Sequence, residues 1–168
     1  MNLETPRLRL CPLTRDDLED LIALHADPQV MGFISGRGES REEVMTTSLA
    51  ELLNRRTWAV FDQTAKFLGW VSLRPEGEEA ELGYRFHSST WNQGYATEAA
   101  RAVIAWGFEA LSLHRIWAQT MAINLASRRV MEKVGLAYVR TFHLQWDDPL
   151  PGSEQGEVEY AILRAVVA

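Results

Sequence analysis

The chain has 168 residues, 46% of them hydrophobic and 24% charged, which is the composition of an ordinary globular domain and excludes a disordered or low-complexity chain. With 17 Lys+Arg against 23 Asp+Glu the net charge is -6, and no run of five like charges offers a nucleic-acid patch, so a phosphorylated ligand would need a local site. No apolar stretch approaches the roughly 18 residues of a membrane span and no signal segment is evident, so one cytoplasmic domain over residues 1–168 is expected, with no nucleic-acid or membrane partner.

Arg7 to Leu13 alternates as a strand does and contains Cys11, the single cysteine, which excludes an internal disulfide and is expected to be a buried, inert thiol. Thr14 with Asp17 has capping-box spacing. Leu18, Leu21, Ile22 and His25 then recur with helical period until Asp27-Pro28 ends the pattern. Gly32 to Gly38 reads as a loop. Ser40 with Glu43 repeats the capping signal before a second amphipathic helix, marked by Met45, Leu49, Leu52 and Leu53 and ending near Arg56.

Three strand-like runs follow as a meander: Thr57 to Phe61, Phe67 to Leu73 and Ala80 to Phe86. A helix fits Thr97 to Leu111. A strand from Arg115 to Met121, a helix from about Ala126 to Lys133, a strand from Ala137 to Gln145 and a last strand from Glu157 to Leu163 complete the chain. Asp147 to Gly156, with two prolines and two glycines, reads as a long hairpin loop.

The most informative segment runs from Glu81-Leu82-Gly83-Tyr84 to Trp91-Asn92-Gln93-Gly94-Tyr95-Ala96-Thr97-Glu98, a strand, a loop and a helix start in succession. Gly94 permits positive φ or close approach of a ligand, Ala96 keeps the surface low, and first-turn N–H groups lack intrahelical partners. Asn92 to Thr97 can therefore cradle a pyrophosphate. On spacing alone, a tight turn with Thr97 and Glu98 supporting a helix start is the alternative. Neither G-x-G-x-x-G nor G-x-x-x-x-G-K-[ST] stands at a strand-to-helix junction.

Together with Leu113-His114-Arg115-Ile116, Asn124 through Ser127 and Val130 through Glu132-Lys133-Val134-Gly135-Leu136, this segment resembles the GNAT superfamily of N-acetyltransferases, and within it the RimJ/RimL-like branch. The likeness spans nearly the whole chain. It implies an α/β fold with a mixed, mostly antiparallel seven-stranded sheet flanked by about four helices. It also implies acetyl transfer from acetyl-CoA, as cosubstrate, directly to a primary amine, either a peptide N-terminus or a small molecule, without a metal. A homodimer is among the assemblies to expect, and a non-catalytic acyl-CoA-binding or sensing module is the alternative function.

Gly94 and Ala96 fill the last two fixed positions of the superfamily's Q/R-x-x-G-x-G/A loop, while Trp91 stands at the first, leaving backbone groups to bind the pyrophosphate. The expected cofactor contacts are Phe86, Trp91, Asn92, Gln93, Gly94, Tyr95, Ala96, Thr97 and Asn124. By the same resemblance, the strand ending near Phe86 parts from the strand beginning near Arg115, opening a V-shaped slot for pantetheine.

An acceptor amine is largely protonated at neutral pH, so a base or a water chain to one is required. Glu81 is the leading candidate, with a solvent-facing strand carboxylate as the alternative reading; Glu159 is the second candidate. The resemblance places Ser127 near the cofactor sulfur, where a hydroxyl can relay a proton to the thiolate, and Asn124 on the cofactor; both residues also suit helix capping. Met131 stands where many superfamily members carry a tyrosine acid, so a different proton route is expected. His25, His87, His114 and His143 form no ligand cluster, and His114 is expected to pack or bond structurally. Of six tryptophans only Trp91 has a ligand argument. The acceptor wall is expected from Met31 to Ser40 and Phe142 to Gly156.

Overall fold

The computed structural model describes residues 1–165. Strands β1 (Leu3–Glu4), β2 (Leu8–Pro12), β3 (Arg56–Asp62), β4 (Phe67–Glu76) and β5 (Glu79–Phe86) pair antiparallel in succession. β6 (Arg115–Met121) joins β5 in parallel, and β8 (Glu157–Leu163) lies between β6 and β7 (Ala137–Phe142), antiparallel to both. The sheet thus has eight strands in the order β1-β2-β3-β4-β5-β6-β8-β7, one more than expected. The extra strand is β1, whose two residues are too few to show an alternation in the sequence.

Both capping boxes form. Thr14 and Asp17 open a 3-10 turn that leads into α1 (Leu18–Ala26), and Ser40 and Glu43 open a helix built from α2 (Arg41–Glu43), a π-helical segment (Val44–Ser48) and α3 (Leu49–Leu53). This helix stops short of Arg56, because Arg56 is already paired with Leu73 in the sheet. α4 (Tyr95–Ala110) and α5 (Leu125–Lys133) follow the strands they were expected to follow.

The helices divide between the two faces. Ala99, Ala100, Val103 and Ile104 of α4, with Met131 of α5, pack on Leu10, Val71, Leu82, Ile116 and Tyr160. On the opposite face Leu21, Leu24, Val44, Leu49 and Leu52 of the α1–α3 layer cover Ala59, Phe67 and Trp70. That second cluster contains no residue of β6, β7 or β8. Cys11 lies on β2 between the buried Leu10 and the exposed Pro12 and is half-buried, not enclosed as expected, because strand alternation turns it away from the core that takes Leu8 and Leu10.

Candidate active site

The α4 N-terminus is built as the sequence suggested, with one addition. Gly94 is the N-cap in the left-handed region (φ 80), and Asn92 also has positive φ (60). No side chain caps the helix. Among the described residues, the backbone N–H groups of positions 92–97 find no protein acceptor, so a row of donors and the positive end of a 16-residue helix face the same space.

The addition is Arg7. Its Nη1 donates to the Gln93 carbonyl (2.9 Å), its Nε meets Glu98 Oε2 at 2.6 Å, and its guanidinium lies over the Tyr95 ring at 4.7 Å from the centroid. A Cβ added to Gly94 would come 3.3 Å from Arg7 Nη2. Burial alone would raise the Glu98 carboxyl, but hydrogen bonds from Thr5 and Arg7 hold it below the usual carboxylate range and keep it charged. Sequence reasoning missed Arg7 because no local spacing signals a contact across 86 positions.

Trp91 is 44% exposed, and its indole N–H donates to the Phe86 carbonyl at 3.0 Å. The Phe86 side chain is buried in the core, so only its backbone borders the loop. Gln93 ties its side chain to the Ser89 carbonyl, and the Thr97 side chain is buried under the helix start.

The ladder between β5 and β6 consists of Glu79–Arg115, Ala80–Ile116 and Glu81–Trp117. Beyond it, Leu82–Phe86 and Ala118–Met121 continue as strands without pairing to each other, so a V-shaped opening begins at Glu81 and widens toward the cradle. One side-chain contact ties β5 to α5, the helix that follows β6. Tyr84 Oη on β5 lies 3.0 Å from the Ser127 carbonyl and 2.9 Å from Ser127 Oγ on α5, an arrangement in which the phenol donates to the carbonyl and accepts from the serine. Burial pushes the Tyr84 phenol up to about 12, so it stays protonated. Met131, at the position where many superfamily members carry a tyrosine acid, is fully buried. Asn124 caps α5: its side chain accepts from Ser127 N (3.2 Å) and donates to Thr120 Oγ1 (3.0 Å).

The sheet face opposite α4 and α5 carries the carboxylates. Glu81, at the apex of the V, pairs with Arg74 at 2.7 Å, its side chain 15% exposed. Glu159 bonds Arg115 and, at 2.9 Å, Arg140. Burial opposes, yet these two guanidiniums hold its carboxyl below the usual range, which makes it a poor proton acceptor. Glu157, which sequence reasoning passed over, is buried, and burial pushes its carboxyl up.

Above this face two loops meet. A Cβ on Gly36 would come 2.6 Å from Leu150 Cδ2, so the segment 27–40 and the segment 143–156 close on each other. Beneath the first loop, the His25 ring donates from Nδ1 to Glu39 (2.8 Å) and accepts at Nε2 from Trp70 (3.2 Å) and Arg85 (3.1 Å). His114 is exposed and does not pack, but it bonds structurally as expected: its ring lies 3.3 Å from Glu78 Oε2, its backbone N–H donates to the Glu78 carbonyl and its carbonyl accepts from Arg164 N.

Residues 7–137 match the family model described as an acetyltransferase (GNAT) domain. The chain is 36% identical over 179 aligned positions to the FsC-acetyl coenzyme A-N(2)-transacetylase of Aspergillus fumigatus, an alignment covering 96% of this chain and 76% of that protein. A crystal structure of a GNAT-family acetyltransferase from Bacillus anthracis superposes with a TM-score of 0.82 at 28% identity, covering 97% of this chain and 98% of the other. The spermidine N-acetyltransferase of Vibrio cholerae, solved with CoA and spermine, shares the fold (TM-score 0.80, 20% identity, coverage 95% and 96%). With the uncapped α4 N-terminus and the split sheet already in place, these likenesses identify the chain as a member of the GNAT acetyltransferase family and an N-acetyltransferase.

Proposed function

We propose that this chain, folded as one domain over residues 1–168, is a RimJ/RimL-like enzyme that acetylates a primary amine directly from acetyl-CoA. The observation that carries the reading is the convergence of the open N–H row at positions 92–97 with the mouth of the β5–β6 opening. The name of the Aspergillus relative, which states acetyl coenzyme A and an N(2) nitrogen, supports both the donor and an amine acceptor.

In this reading the backbone of Asn92 to Thr97 holds the pyrophosphate, Arg7 adds a cation beside that loop, and the unpaired edge of β5 from Leu82 to Phe86 lies beside the pantetheine. Bound acetyl-CoA supplies the acetyl group as an activated thioester. Glu81 takes the proton of the amine, while Ser127, positioned by Tyr84, passes toward the sulfur a proton that it regains from water. The loops meeting at Gly36 and Leu150 roof the acceptor side.

A thiol-release assay with acetyl-CoA against N-terminal peptides, amino-acid amides, polyamines and aminoglycosides tests the reading. Amine-dependent CoA release with a mass gain of one acetyl group on the amine is expected. Failure to bind acetyl-CoA in calorimetry would remove the reading altogether.

A further inference from the structure

Among the described residues, one carboxylate on the sheet face away from α4 has no partner. Glu157 is 6% exposed, its Oε1 is sealed from solvent without a hydrogen bond, and it forms no salt bridge among the described residues. Burying a charge without a partner is costly, and native folds retain such a group where a ligand completes it. Its neighbours Glu81 and Glu159 each have at least one arginine. Solvation does not explain the difference, since all three share one face.

The position of Glu157 is fixed by its surroundings. Its cross-strand partners are Met121 on β6 and Phe142 on β7. Met121 stands four positions beyond Trp117, where the β5–β6 ladder ends, so Glu157 flanks the wide part of the opening, one strand out. Gly156 precedes it with φ 83, and a Cβ there would come 2.6 Å from the Phe142 carbonyl, so this close turn sets where the side chain leaves the loop. The loop itself, 143–156, is the one that closes on Gly36. The carboxylate therefore sits where the roof descends to the sheet, on the face away from α4.

We infer that Glu157 is the acceptor-recognition residue: its carboxylate receives the ammonium of a primary alkylamine at the wide part of the β5–β6 opening, and the nitrogen leaves it for the apex, where Glu81 takes its proton. The inference rests on the acetyl-transfer reading and names the acceptor class for it. A protonated amine supplies both the positive charge and the N–H donors that this carboxylate lacks. The upward push of burial on this carboxyl eases as the cation arrives. Phe33, Ile34 and Leu144 are exposed on the same two loops, which favours an amine carried on an apolar body over a polycation.

The test compares wild type with Glu157→Gln, using phenylalaninamide, hexylamine and putrescine as ammonium acceptors and phenylacetic hydrazide as one that is uncharged at neutral pH. For the best ammonium acceptor KM should rise at least about tenfold, the scale of a lost charge-assisted hydrogen bond. For the hydrazide it should change less than about threefold on the same scale. Acetyl-CoA affinity should be unchanged, and Tm at pH 8 should equal or exceed wild type, because a neutral amide replaces an unpaired buried charge. A purely structural role predicts the reverse, a lower Tm with all acceptors impaired alike. That result, an unchanged KM for the ammonium acceptors, or no turnover of any of them by a wild-type protein that binds acetyl-CoA, would overturn the inference. Loss of acetyl-CoA binding in wild type would instead sink the transfer reading beneath it.

Discussion

The two halves of the sheet are dressed differently. In β3 and β4, Thr57–Val60 and Phe67–Leu73 are buried without alternation, because helices cover both faces. In β6, Ile116 and Ala118 are buried while Gln119 is exposed, and β7 is exposed along most of its length, because α4 and α5 cover one face and no helix of the other layer reaches across. Each large apolar side chain fully buried in the covered half contributes about 1.5–3 kcal/mol, so stability is concentrated there. The carboxylates Glu157 and Glu159 lie in the half that the α1–α3 layer leaves free, on β8, where Glu157–Tyr160 are nonetheless buried, and Glu81 marks the seam where the ladder ends. A transferase needs a face where two substrates can meet, and the uncovered half and its seam provide one.

If that division is right, changes at the seam should remove binding or turnover while leaving the fold intact. The largest effect is expected at Gly94→Glu. A non-glycine residue at φ 80 costs about 1–2 kcal/mol, and a carboxylate facing the N–H row would repel phosphate, so acetyl-CoA affinity should fall at least ~100-fold with only a small change in Tm. Calorimetry giving an affinity within about threefold of wild type would place the pyrophosphate elsewhere.

Glu81→Gln comes next. General acid-base groups contribute about 10² to 10⁴-fold, so kcat should drop at least ~tenfold near neutral pH with acetyl-CoA affinity intact. Its Arg74 partner lies on the neighbouring strand, so the glutamine can remain in place. A pH–rate profile identical to wild type would reject Glu81 as the base. Ser127→Ala should lose less, roughly two- to fivefold in kcat, because water can replace a hydroxyl relay. Tyr84→Phe should resemble it, since the phenol acts by holding the serine. A Ser127→Ala loss larger than that of Glu81→Gln would reverse the assignment of the demanding proton step.

The strands and helices were legible wherever pattern and local chemistry coincide. The runs Arg115 to Met121 and Glu157 to Leu163 appear with the expected bounds, as do both capping boxes. The backbone geometry of the α4 start was legible too, because its glycine, loop and helix start are contiguous. What sequence could not supply is long-range pairing. Arg7 reaches Gln93 and Glu98 only after the β1–β2 turn folds against α4, and Tyr84 meets Ser127 only across the opening. The three glutamates on the open face look alike in the sequence. Arg74, Arg115 and Arg140 distinguish them by pairing with Glu81 and Glu159 and leaving Glu157 alone, and strand order, which sequence does not show, decides that.

The smallest expected effect lies in the covered half and concerns stability alone. His25 is enclosed beneath the α1–α2 segment, bonded to Glu39, Trp70 and Arg85. Burial, and then the Arg85 charge, hold its imidazole below the usual 6.5, with Glu39 opposing, and burial lowers His87 as well. Between the folded value and 6.5 the unfolded chain binds more protons than the folded one, so stability is full above 6.5 and falls as pH drops through that window. For the single proton on His25 the slope cannot exceed about 1.4 kcal/mol per pH unit. His25→Gln keeps a group able to bond both Glu39 and Trp70 but removes this titration. Urea midpoints measured from pH 7.5 to 5 should therefore decline less steeply in the variant, with the residual slope left to His87. Parallel declines would show that the His25 network does not titrate with folding. A pH-dependent change in kcat confined to the variant would show that the covered half is not separate from the chemistry after all.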